Sequence, residues 1–138
     1  MRNLKAQNSF QYSNYMFGLF RKKEVQISNR KALISNLTNI YDLLKDNGFL
    51  VQAEAIKKPL NYLQQDDISK FLITLKTVDI WGGSGAVWEV GGFSNKDQER
   101  EFQRNFIQLV CLLKETGIKI KTANRIAKVF KNELKTKE

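Results

Sequence analysis

The chain has 138 residues, with no histidine, a single cysteine and a single proline. Without histidine, acid–base chemistry near neutral pH would fall to a retuned carboxylate, lysine or tyrosine. With only one cysteine as well, and that one read as buried, a thiol protease or a His/Cys zinc site is close to excluded, and no catalytic residue, metal ligand or cofactor is assigned. An internal disulfide is impossible, which fits a reducing compartment. Leu109, Val110, Leu112 and Leu113 flank Cys111 and predict a buried thiol on a helix. No apolar run is long enough to span a bilayer. The aromatic stretch 12–20 is interrupted by Asn14 and Gly18 and has no small-residue cleavage site after it, so it does not read as a signal peptide. The expected location is the cytoplasm.

What is present is the material of one small folded domain. Hydrophobic residues make up 42% of the chain and charged residues 27%, which is enough apolar surface for a core without disulfides or metal. The net charge of +9 is uneven. Residues 1–31 carry seven Lys/Arg against one acid and residues 119–138 carry seven against two, whereas the middle carries nine against eleven. A basic excess at the ends is able to meet phosphate or anionic lipid, and it equally serves as a solvated, solubilising surface.

Helical periodicity organises most of the chain. Residues 1–27 have none: Phe10, Tyr12, Tyr15, Phe17 and Phe20 stand among polar residues, so a partly ordered basic and aromatic arm is expected, followed by a single helical domain over 28–138. Leu33, Ile34, Leu37, Ile40, Tyr41 and Leu44 recur at three- and four-residue steps and predict a first helix, capped by Ser28 or Asn29 and stopped at Asn47-Gly48. A second runs over about 49–64 with Ala53, Ile56, Leu60 and Leu63 inward, and Pro59 should kink or split it. Asp66 and Asp67 cap a third, carrying Ile68, Phe71, Leu72, Leu75 and Val78. Ser94-Asn95-Lys96-Asp97 restarts helix, and Phe102, Phe106, Leu109, Val110 and Leu113 form the longest apolar stripe until Thr116-Gly117. After a short extended connector, Thr122 caps a final helix with Ala123, Ile126, Ala127, Phe130 and Leu134 inward. The expected fold is all-α: an irregular bundle of about five helices, with a glycine-rich aromatic loop between the third and fourth.

That loop, residues 80–93, holds five of the eight glycines and both tryptophans. Glycine turns can cradle phosphate. The phosphate-binding loops, however, need a preceding strand and either a terminal Lys-Ser/Thr or dinucleotide-fold spacing. Here the preceding element reads as helix, and no lysine follows until Lys96. One reading makes residues 86–90 a short extended piece between two glycine turns, with Trp81 and Trp88 packed into the bundle. The other makes Trp81, Gly82, Gly83, Ser84, Gly85, Trp88 and Glu89 a partner-binding surface, because loops held by a rigid scaffold often carry function. Asp79 or Glu89 beside the turns would be the only foothold for an enzyme, and no second convergent polar group accompanies them.

The final helix carries Lys121, Arg125, Lys128 and Lys135 at helical steps, with Lys131 or Asn132 between, opposite its apolar face. This is a basic stripe that suits nucleic acid or an anionic membrane. With the preceding helix and the Thr116-Gly117 turn it has the outline of a helix-turn-helix, although its connector is longer than usual.

At Gly82-Gly83-Ser84-Gly85-Ala86-Val87-Trp88-Glu89 the chain also resembles a group of small bacterial proteins classed as a domain of unknown function. Their mark is Gly-Gly-x-Gly-Ser/Ala, then an aromatic residue or Asn and an acidic residue, between helices. The resemblance covers roughly residues 16–113 and departs from the pattern at Trp88-Glu89, which stands in place of Asn-Asp. Some members of the group resemble immunity proteins of toxin systems. The resemblance therefore implies a non-enzymatic protein-binding module whose partner is a protein, in the immunity-protein sense a cognate toxin. The alternative carried by the residues themselves is a nucleic-acid or anionic-membrane binder using the basic termini.

Overall fold

The computed structural model describes residues 27–137; the expected arm lies outside the described residues except for Ile27, which packs against the core. Helix α1 spans Arg30–Asp46 and buries Leu33, Leu37, Ile40 and Leu44, as its period requires. It ends where Phe49 N–H reaches back to Leu44 O at 2.9 Å, the six-to-one bond of a helix stop. Asn29 occupies the cap position, but its side chain does not cap. Its Nδ2 instead donates to Leu112 O at 3.1 Å and Glu115 Oε1 at 3.0 Å, tying the start of α1 to a helix 83 residues further along.

Helix α2, Leu50–Gln64, runs through Pro59 without splitting. Pro59 removes one backbone donor, yet its ring is buried with Ala53, Ile56, Leu60 and Leu63, and packing holds the helix together where local sequence predicts a break. Arg30 completes the end of α2: its Nε donates to Leu63 O and its Nη2 to Gln64 O, at 3.1 and 3.0 Å. Helix α3, Ile68–Leu75, begins on Asp67, whose carboxylate accepts from Lys70 N–H as the sequence predicts.

Lys76 and Thr77 break the chain before a separate helical turn, α4, Val78–Trp81. That break shifts the helical phase. Val78, expected inward on α3, is instead 78% exposed, while Ile80 and Trp81 point to the core. Helix α5, Lys96–Glu115, starts on Asn95, whose Oδ1 accepts from Asp97 and Gln98 N–H. Its apolar stripe is buried, but Cys111 is exposed, contrary to the reading from its neighbours. Residues adjacent in sequence sit about 100° apart on a helix, so Cys111 falls in line with exposed Gln108 and Glu115 rather than with Val110. Helix α6, Ala123–Lys137, follows a stop in which Ile118 N–H bonds Leu113 O at 2.9 Å.

Among the described residues there are six α-helices, one 3-10 turn and no strand. Helix α1 packs on α2 and α5, α2 on α3, and α5 on α6. An aromatic cluster sits where the later elements meet: Phe106 lies 5.2 Å from Trp81, 5.8 Å from Phe102 and 5.6 Å from Phe130, centre to centre. Each such tilted or edge-on pair contributes about 0.5–1.5 kcal/mol beyond the area it buries. Between α1 and α5 lies a polar seam, in which buried Asn36 donates to Asn105 O at 2.8 Å.

Candidate functional site

The segment between α4 and α5 is pinned to the bundle by its tryptophans. Trp81 closes α4, is 5% exposed, and donates from Nε1 to Leu75 O at 2.8 Å. Its ring is therefore enclosed in the bundle and serves as a structural anchor. Trp88 is half-buried. Its Nε1 donates to Gly82 O at 2.6 Å, closing the segment on itself, and its ring lies 6.4 Å from Phe130. Thr122 Oγ1 donates to Trp81 O at 3.5 Å and Gln52 Nε2 to Gly85 O at 3.1 Å, so the residue just before α6 and a residue of α2 both hold the segment.

Gly82 and Gly85 are required by geometry. A Cβ on Gly82 would stand 2.6 Å from the carbonyl oxygen of Val78, closer than real contacts allow. Gly85 has φ +86 in a turn closed by Ala86 N–H to Gly83 O at 2.9 Å, and side chains are strained there. Gly83, Ser84 and Gly85 form the exposed tip. The expected extended piece is absent: Val87–Glu89 is a 3-10 turn, with Glu89 N–H bonded to Ala86 O and Val90 N–H to Val87 O. Its threefold turn buries Val87, half-buries Trp88 and leaves Glu89 in solvent, an arrangement that two-residue alternation does not produce.

The two surfaces predicted separately meet at Trp88. The Arg125 guanidinium lies 5.9 Å from the centre of the Trp88 ring, a cation–π contact. Lys121 shares with Val78, Trp81 and Gly82 a shallow apolar pocket of about 330 Å³. Lys121, Arg125, Lys128 and Lys135 are all exposed. The stripe thus begins beside the loop and continues along α6, with Lys135 about 15 Å beyond Arg125 at 1.5 Å per residue. On another side of the loop, exposed Val51 shares a cleft with Asp79 and Gly85.

Sequence reading missed a pocket of about 590 Å³ beside Trp88. Glu89, Glu99, Gln103, Phe130 and Glu133 are among its lining residues. Glu99 reads in sequence as an N-terminal helix charge, which it also is. The available signal was Glu133, an acid within an otherwise basic helix. Among the described residues no group of three His, Cys, Asp or Glu side chains is placed to hold a metal ion, and no helix is long and apolar enough to cross a membrane.

The fold of the described residues is all-α, with a glycine-rich surface segment between α4 and α5. No protein-family model, no curated protein and no solved structure matches the chain.

Proposed function

We propose that this is a non-enzymatic, cytoplasmic protein-binding module whose contact surface centres on the exposed loop Gly82, Gly83, Ser84 and Gly85 with Trp88 and Glu89. The observation that carries this reading is an ordered loop flanked by unpartnered apolar side chains. The tip is held by hydrogen bonds from α2 and within the loop, while Val78 beside Gly82 is 78% exposed and Val51 across from Gly85 is 77% exposed. A loop already fixed in its bound shape loses little entropy on association, and exposed valines at its edges gain by being covered. The resemblance at residues 82–89 adds the immunity-protein sense, in which the partner is a bacterial toxin.

The test is capture of the products of adjacent genes by the purified protein. Val78→Glu and Ser84→Arg alter only exposed positions and should abolish capture without lowering the melting temperature. Undiminished capture by both variants would remove the reading.

A second reading is favoured by one contact, the Arg125 guanidinium over the Trp88 ring within the basic stripe. Cations next to an aromatic face suit nucleic acid, and the same charges suit anionic lipid. Retention on DNA or anionic vesicles should then fall steeply with salt and be weakened by Arg125→Gln with Lys128→Gln. Retention independent of salt would exclude it.

A further inference from the structure

Two adjacent apolar hollows flank the connector that leads into α6. One, of about 400 Å³, is lined by Val110, Leu113, Ile118 and Ala123; the other, of about 330 Å³, by Val78, Trp81 and Gly82. Lys119, Ile120 and Lys121 line both, so the two share a wall and continue as one groove. Val78 is 78% exposed and Ile120 is half-buried. Covering such surface favours association. The charges around it say what covers it. Lys114 belongs to the first hollow, Lys76 to the second, and Lys119 and Lys121 to both, and all four are exposed. Among the described residues none of these lysines is in an ion pair, and no Asp or Glu lines either hollow. The other polar side chains there, Thr77, Thr122 and Asn124, are uncharged. Four like charges beside apolar surface repel one another until an opposite charge is brought to them.

The occupant is therefore both acidic and apolar. The chain's own residues 1–26 hold five Lys/Arg against one Glu and have the wrong sign, and a second copy of the chain, at +9, repels the first. A nucleic-acid backbone would satisfy the lysines and leave the apolar walls bare, and an acyl chain suits one continuous slot better than two hollows with Ile120 as their common wall. We propose that the groove receives an acidic and apolar segment of the protein partner, with an apolar side chain in each hollow and carboxylates beside them facing Lys76, Lys114, Lys119 and Lys121. This rests on the partner-binding reading and adds to it the chemistry of the partner. It also extends the contact surface from the loop at Gly82 across the connector to the end of α5. The apolar side chains supply most of the affinity, while the lysines select the sign of the partner and speed its encounter.

The experiment titrates the full chain, at physiological salt, with a blocked Asp-Leu-Asp-Asp-Phe-Asp peptide. Two relatives of it serve as comparisons, one with Asn for every Asp and one with Ser for Leu and Phe. The backbone amide signals of Val78, Lys119, Ile120 and Lys121 are followed by NMR. The parent peptide should shift them saturably, and both relatives should bind more weakly. Lys119→Gln with Lys121→Gln should weaken the parent peptide about three- to tenfold, the effect of losing two exposed ion pairs, and leave the Asn peptide unchanged. Lys31→Gln with Lys57→Gln removes the same charge from exposed positions on α1 and α2 and should have no effect. No saturable shift, equal binding by either relative, or equal losses from the two lysine pairs would overturn the proposal. So would tighter engagement of the same amides by a DNA duplex or by phosphatidylglycerol vesicles, or their shift on concentrating the protein alone, which would make a second copy the occupant. Capture of an adjacent gene's product that Ser84→Arg abolishes and the Lys119 and Lys121 changes leave intact would overturn this inference and keep the partner-binding reading. Capture of no such product, with the peptides behaving as expected, would support the groove's chemistry and remove the adjacent-gene reading.

Discussion

Gly82 and Gly83 are adjacent, chemically identical and structurally opposite. A methyl on Gly82 would press into the Val78 carbonyl at 2.6 Å, whereas one on Gly83 meets nothing within 4 Å. Gly82→Ala should therefore cost about 1–3 kcal/mol, as overpacking against backbone does, and Gly83→Ala should stay within about 0.5 kcal/mol. Paired urea denaturation curves check both. The tryptophans divide in the same way, since Trp81 is an anchor with a buried N–H bond and Trp88 keeps one side for the surface. Cys111 makes a third residue-level claim. Because it is exposed, a thiol reagent should titrate it in the native protein as completely as in denaturant, without a prior unfolding step. Protection in the native state would contradict its placement.

At the scale of elements, the capping chemistry is legible in sequence because it is local. Asp67 and Asn95 bond backbone N–H groups two or three residues ahead, and no distant partner is needed to foresee that. Asn29 shows the limit. Its type and position predict a cap, but a carbonyl and a carboxylate on α5 take its donors instead. The seam between α1 and α5 was invisible for the same reason. Asn36 sits on the apolar period of α1, pairs through Nδ2 with Asn105 O, and leaves its Oδ1 without a partner. Leucine has nearly the same shape and no orphan acceptor. Asn36→Leu should accordingly be neutral or raise stability by about 1 kcal/mol, read as a shift of the thermal midpoint. A loss of more than that would mean the seam contributes net stability.

Across the whole molecule, elements on both sides of the loop share one core. Phe106 on α5 touches Trp81 from α4 as well as Phe130 on α6, while α1 is packed between α2 and α5. The two stretches of helix should therefore unfold together. Far-UV circular dichroism and Trp fluorescence should give coincident transitions, and Phe106→Ala should lower both by about 3–5 kcal/mol, the usual cost of emptying a large aromatic site. Separated transitions would show two independent units. The uneven charge acts at this scale too: Trp88 touches both the basic stripe of α6, through Arg125, and the acidic pocket that it lines.

Sequence by itself determined where helices lie, which of their faces are apolar, where most of them start and stop, and that α6 carries a basic face. Those features depend on interactions three to five residues apart, and periodicity records them. Tertiary structure alone decided the rest: that Val78 faces solvent after the chain breaks at Lys76, that Pro59 stays inside a helix, that residues 87–89 turn rather than extend, and that Trp88 meets Arg125. It also brought Glu99 and Gln103 of α5 together with Glu133 of α6 and Glu89 of the loop. These are outcomes of packing between segments far apart in the chain, and a glycine-rich stretch with no period of its own takes its shape from the elements that hold it.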